Sequence, residues 1–159
     1  MADERHEEVE DRLVERARQH IADHGYHLTY VFGDTTDMPF CYSAGLWRTW
    51  NHPELILFGM NSDDSTTVMT ALAAEIRDGR SFEAGQIDEE TFNRRIAFLA
   101  LTDDGYERAE IPITVMYYEG WDFPMLQVVT PDEEGLFPWE PGCDPAVTAR
   151  QPLLGASPE

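Results

Sequence analysis

A chain of 159 residues has the length of one ordinary domain, and a hydrophobic content of 42% is enough for one buried core. The formal net charge of −20 comes from 31 acidic residues against 11 arginines, and the sequence contains no lysine. An acidic surface of this kind repels nucleic-acid phosphates and anionic membranes, so we expect neither as a partner.

The two cysteines, Cys41 and Cys143, are too few for a disulfide framework or a cysteine-based zinc site. The sequence shows no apolar signal segment and no stretch long enough to span a membrane. We therefore expect a cytoplasmic protein. Its acidity is either a solvated coat or a surface that meets a basic partner, and the sequence leaves both interpretations open.

The first predicted element is an amphipathic helix over Asp3 to His24, with acidic residues in its first turns and basic residues in its last. Gly25 provides its C-terminal stop. Alternation of side chains predicts a strand over residues 26–33, which can form an antiparallel hairpin with an extended segment over residues 40–47. We expect the next stretch, residues 47–53, to be a polar aromatic loop.

The nearly continuous apolar run over residues 54–60 predicts a buried central strand. Capping residues then introduce a second helix that ends near Gly79, followed by a loop over residues 80–95. Two further strands are expected over residues 96–102 and 125–130. The segment 106–119 is ambiguous, because its β-branched residues favour a strand although it could begin with a helical turn.

These elements predict an α+β fold with a mostly antiparallel sheet of five or six strands, an N-terminal helix and one packed helix. The helix occupies residues 1–25 and the single domain residues 26–155. The chain after Pro131 is rich in proline and is expected to be irregular, with a disordered tail at residues 156–159.

Five segments of the chain occur together, and in the same order, in one known family: PFCYSAGLW, HPELILFGM, EIRDG, MLQVVTPDEEGLFPWEPG and QPLLG. Together they resemble the bacterial and archaeal family of domains of unknown function numbered 4262, from about Gly25 to Gly155. The resemblance implies one compact intracellular domain and brings no established activity, cofactor or catalytic residue. Its signature positions correspond here to Tyr42, Gly45, Leu46, His52, Pro53, Glu54, Leu55, Gln127, Pro131 and Asp132. The chain departs from the family pattern with Ser43 for a common threonine and with Thr130 for an aromatic residue.

His52 and Glu54 are the first candidates for chemistry, because alternate residues entering a strand can present an imidazole and a carboxylate together. The structural alternative is a histidine that caps the loop and a glutamate paired with an arginine such as Arg48. The H-x-E motif of zinc deaminases is not matched, because its P-C-x-x-C partner is missing.

His20, His24 and His27 form a histidine cluster. The spacing of the first two could place both on one helix face for a metal. Histidines near the end of a helix also stabilise its dipole, and we therefore predict no metal site.

Aromatic residues in predicted loops suggest a pocket for a flat or sugar-like ligand, although core packing explains many of them. The candidate ligand-binding residues are Tyr42, Trp50, Gln127 and Trp139. We expect a binding or accessory domain for an unidentified small molecule or protein, with its site between residues 47–53 and residues 127–139.

The alternative is a small enzyme in which His52 is the acid or base and Glu54 orients it or accepts its proton. Asp132 and Gln127 would then fix the substrate. No motif identifies a cofactor, and a flavin would rest only on strand count and aromatic content.

Overall fold

The computed structural model describes residues 2–34 and 37–157, with side chains from Glu8 onward. The helices are α1 (Ala2–His24), α2 (Leu46–Trp50), α3 (Ser62–Arg77), α4 (Asp103–Arg108), α5 (Pro112–Tyr118) and α6 (Pro145–Arg150). The strands are β1 (His27–Val31), β2 (Phe40–Ala44), β3 (Glu54–Phe58), β4 (Ile87–Asp88), β5 (Ile96–Ala100) and β6 (Met125–Val129).

The strands form one six-stranded sheet in the order β1-β2-β3-β6-β5-β4. All neighbours are antiparallel except the central pair, β3 and β6, which run parallel with Leu55 opposite Leu126. The sheet therefore consists of two antiparallel three-stranded units joined through their last strands. The predicted α+β fold with a mostly antiparallel sheet is confirmed.

Both faces of the sheet are covered, which explains why β3 reads as a continuous apolar run. On one face, Leu55 and Leu57 belong to a core that includes Met69 and Leu72 of α3. On the other face, Ile56 belongs to a second core, which is completed by residues of α1 and of the segment before and within α5. Among the described residues, no helix combines the length and the apolar character that a bilayer crossing requires.

Several segments differ from their predicted structure. Residues 46–50 form the short helix α2 rather than a loop. The ambiguous segment forms helices α4 and α5 rather than a strand, with Pro112 in the first turn of α5, where proline is well tolerated. Tertiary contacts fix α5, because Thr114 Oγ1 donates to the Ser43 carbonyl at 2.8 Å and the Ile113 N–H donates to the Tyr42 hydroxyl at 3.3 Å.

The C-terminal segment is less irregular than its proline content predicts. It contains α6, and Leu101 forms a bridge with Gly155. The predicted loop before β5 likewise contains the short strand β4. The end of the predicted tail, residues 158–159, lies outside the described residues.

Candidate functional site

Glu54 lies at the start of β3 and is fully buried. Its carboxylate accepts five hydrogen bonds, from the hydroxyls of Ser43 (2.8 Å) and Tyr118 (2.5 Å) and from the backbone N–H groups of Gly45 (3.0 Å), Leu46 (3.2 Å) and Trp47 (3.2 Å). The three N–H groups belong to the beginning of α2, whose N-cap Gly45 has φ 101° and no side chain that could cap. Glu54 therefore supplies from the sheet the acceptor that this helix end lacks.

Burial raises the pKa of Glu54, while the hydrogen bonds from Tyr118, Ser43 and the backbone act in the opposite direction. Burial and the neighbouring carboxylate also raise the pKa of Tyr118. A carboxylate has about four lone-pair positions that can accept hydrogen bonds. The five donors around Glu54 therefore use its full capacity to accept. These contacts give Glu54 a structural role, as the cap of the N-terminal end of α2.

His52 is buried, and both of its ring nitrogens are engaged. Nδ1 lies 2.8 Å from the Pro53 carbonyl oxygen, and Nε2 lies 3.0 Å from the backbone N of Phe82. Since the carbonyl can only accept and the N–H can only donate, the ring is the neutral Nδ1–H tautomer. Burial lowers the pKa of His52, which favours the same neutral state.

No hydrogen bond joins the described side chains of His52 and Glu54. His52 holds the loop before β4 in place, and Glu54 caps α2. Arg48, the expected partner of Glu54, instead places its guanidinium 4.8 Å from the ring centre of Tyr117. An acid–base role for His52 would require it to break one of its two internal hydrogen bonds.

Asp132 organises the turn that follows β6. Its carboxylate accepts from the N–H groups of Glu134 (3.0 Å), Leu136 (2.8 Å) and Asp144 (2.9 Å). The N–H groups of Leu136 and Asp144 are the main reason that the pKa of Asp132 is lowered.

Gln127 is fully buried in β6 and binds the C-terminal segment. Its amide group donates to the Pro152 carbonyl at 2.8 Å, and its carbonyl accepts from the Leu154 N–H at 2.7 Å. Gln151 makes a second such connection through hydrogen bonds in both directions with Thr130. The two amides fasten the segment after α6 to the end of β6.

The aromatic candidates are dispersed over the molecule. Tyr42 is buried beneath α5, and Trp139 stacks on Phe137 with ring centres 4.9 Å apart. Trp50 and His52 line a small recess of about 220 Å³, and Asp132 lines a different recess of the same volume.

The sequence placed a site between residues 47–53 and residues 127–139, and the strand register separates these segments. Because β3 and β6 are parallel and paired from their first residues, residues 47–53 lie at one end of the sheet and residues 131–139 leave from the other. A five-residue strand spans about 16 Å. The two segments that were expected to enclose one site therefore lie at opposite ends of the sheet.

The histidine cluster joins α1 to β1. The Nδ1 atoms of His20 and His27 lie 2.7 Å apart, while the rings of His20 and His24 are 6.4 Å apart. Among the side chains that the structure describes, from Glu8 onward, no three His, Cys, Asp or Glu residues are grouped so that they could hold a metal ion.

A larger cavity, of about 550 Å³, lies at the end of the sheet where β1 ends and β2 begins. Its apolar wall comes from Val31 of β1, from Phe32 and Met38 between β1 and β2, and from residues of β2, β3 and the C-terminal segment; charged residues complete it. The lining consists of Val31, Phe32, Asp34, Asp37, Met38, Phe40, Phe58, Arg108, Glu110, Ala149, Pro152 and Leu154.

Sequence reasoning missed this cavity, although one signal was present. Phe32 and Met38 are large apolar residues beside a segment rich in turn formers, and in the structure they are 80% and 39% exposed. Val31, Phe40 and Phe58 come together through the sheet register, since Phe40 pairs with both Val31 and Phe58.

The family model for the domain of unknown function DUF4262 matches residues 20–144. No curated protein and no solved structure matches the chain. The matched region runs from the last turn of α1 to the turn organised by Asp132 and includes all six strands. The chain belongs to the DUF4262 family.

Proposed function

We propose that the protein is a ligand-binding module and that its site is the 550 Å³ cavity beside the β1–β2 connection. This volume lies within the range of about 300–1,000 Å³ that is typical of small-molecule sites. The observation that carries the proposal is the apolar wall, in which Phe32 remains 80% exposed at the cavity. A large exposed aromatic side chain gains free energy when a ligand covers it.

Binding explains the structure better than catalysis by the residues that the sequence proposed. His52, Glu54, Gln127 and Asp132 each use their polar groups in hydrogen bonds that hold the fold together. The cavity, in contrast, contains apolar surface and charge that are accessible to a ligand.

The test is NMR of protein labelled with ¹³C at the methionine methyl groups, titrated with a library of small fragments. Met38 lines the cavity, so a bound fragment should shift its methyl signal. The variant Phe32→Ser should weaken those fragments without loss of stability, because the ring is mostly exposed.

Val9→Ser is the matched control, since Val9 is also exposed but lies on α1. It should leave fragment affinity unchanged. The proposal is wrong if no fragment shifts the Met38 signal, or if Phe32→Ser and Val9→Ser have equal effects.

A further inference from the structure

We infer that the ligand of this cavity is a small organic cation with an apolar body. The inference rests on the proposed function and adds the chemical class of the ligand. The cavity wall combines aromatic rings with an excess of carboxylates, and both features favour a positive charge.

The charged part of the wall is acidic. Asp34, Asp37 and Glu110 supply three carboxylates, of which Asp34 also accepts the Asp37 N–H at 2.8 Å, and Arg108 supplies a single guanidinium. Arg108 already binds the Asp104 carboxylate at 2.8 Å and the Leu153 carbonyl at 2.8 Å. Its charge is thus largely matched by Asp104, which does not line the cavity, and the wall presents net negative charge to a ligand.

The aromatic part of the wall acts in the same direction. Phe32, Phe40 and Phe58 line the cavity, and the ring centres of Phe40 and Phe58 are 5.2 Å apart. Aromatic faces carry negative electrostatic potential and attract ammonium groups. An anionic ligand would meet repulsion from the carboxylates.

The net charge of the whole molecule also favours a cationic ligand over an anionic one. A formal charge of −20 creates a field that raises the local concentration of cations over distances of about 10 Å at moderate salt. The cavity volume suits a molecule of drug size. We therefore assign the occupant to small molecules rather than to a basic segment of another protein.

The experiment compares three probes of nearly equal shape: phenethylammonium, 2-phenylethanol and 3-phenylpropionate. Dissociation constants come from the shift of the Met38 methyl signal. Phenethylammonium should bind most tightly and 3-phenylpropionate most weakly. Glu110→Gln and Asp37→Asn should each weaken phenethylammonium about threefold to tenfold and leave 2-phenylethanol unchanged.

Glu107→Gln is the matched control, because it removes one exposed carboxylate from α4 that does not line the cavity. Equal weakening by Glu107→Gln and Glu110→Gln would overturn the inference, since the effect would then belong to net charge alone. A preference for 2-phenylethanol or 3-phenylpropionate at Met38 would also overturn it, yet would leave the proposed binding function standing.

No shift at Met38 from any of the three probes would overturn both proposals. Tighter binding of a phenylalanyl-lysine peptide than of phenethylammonium would instead reassign the occupant to a basic protein segment.

Discussion

Glu54 holds the beginning of α2 against the sheet through donors that a glutamine cannot fully satisfy. In Glu54→Gln, an amide NH₂ would replace one acceptor oxygen, and at either oxygen position it would face at least one backbone N–H group, which can only donate. We expect a loss of about 2–4 kcal/mol in the free energy of unfolding, measured with urea. Tyr118→Phe removes one donor and should cost about 1–2 kcal/mol.

Glu107→Gln, on the exposed side of α4, is the control and should change stability by less than about 0.5 kcal/mol. Equal stability of Glu54→Gln and the control would show that Glu54 does not act as a cap.

Variants of His52 can distinguish a structural role of this residue from a catalytic one. His52→Ala leaves the buried Phe82 N–H without its acceptor and creates a cavity, so we expect a loss of about 2–3 kcal/mol. His52→Gln should recover part of this loss, because its carbonyl oxygen can accept from the same N–H. A melting temperature unchanged by His52→Ala would contradict the structural role and return His52 to the list of catalytic candidates.

The docking of α1 on β1 should depend on pH through His27. Burial, the neighbouring His20 and Arg16 lower the pKa of His27 from 6.5 to about 4. The unfolded chain therefore binds this proton more readily than the folded one, so the stabilisation is complete above pH 6.5 and is lost as the pH falls toward 4. Since the ring is partly exposed, we expect a loss of about 1–2 kcal/mol.

Thermal unfolding between pH 4 and 7 checks this expectation. His27→Gln should flatten the pH dependence of the melting temperature, whereas His24→Gln, at an exposed position of α1, should not. Parallel profiles for the two variants would exclude His27 as the titrating group.

The C-terminal segment approaches α4 so closely that only glycine fits at residue 105. A Cβ atom there would lie 1.8 Å from the Leu154 carbonyl oxygen. Replacing a glycine by alanine in an exposed helix usually stabilises by up to about 1 kcal/mol. Gly105→Ala should instead destabilise by about 1–3 kcal/mol and speed hydrogen exchange of the Leu154 amide.

Glu107→Ala in the same helix is the control and should be nearly neutral. A stabilised Gly105→Ala variant would mean that the C-terminal segment does not pack here as the structure shows.

Elements with a regular pattern were predictable from sequence, and those created by distant contacts were not. The apolar stripe of α1 and the apolar run of β3 can be recognised from the local sequence alone. The cap of α2 comes from Glu54, beyond the end of that helix, and α5 overrides its strand-forming residues through contacts with β2. Local patterns carry no information about such contacts.

The site was also difficult to predict, because it is formed by contacts between distant parts of the chain. The sequence indicated Glu54, His52, Gln127 and Asp132 as candidates for catalysis or ligand binding. In the structure all four are buried, and their hydrogen-bond partners explain this burial. The cavity depends on the register of three strands and on where the C-terminal segment returns. Sequence periodicity predicts the strands and does not specify that return.

The whole molecule carries 31 acidic residues against 11 arginines, and this charge opposes the compact state. Sodium chloride screens the repulsion, so the melting temperature should rise between about 0.02 M and 0.5 M salt. Each kcal/mol of relieved repulsion raises it by about 2–5 °C. A melting temperature that falls with salt would indicate that ion pairs, such as Arg80 with Asp88, outweigh the repulsion.

The parallel pairing of β3 with β6, which forms a seam between the two three-stranded units, affects how the chain folds. Short connections join β1 to β2, β2 to β3 and β4 to β5, whereas residues 101–124, with α4 and α5, connect β5 to β6. Each three-stranded unit nevertheless consists of strands that are consecutive in the chain. Pairing of β3 with β6 places Leu55 opposite Leu126, so its formation must close the residues between them, 56–125, into one long loop. We therefore expect the two units to form early and their association across this seam to limit the folding rate.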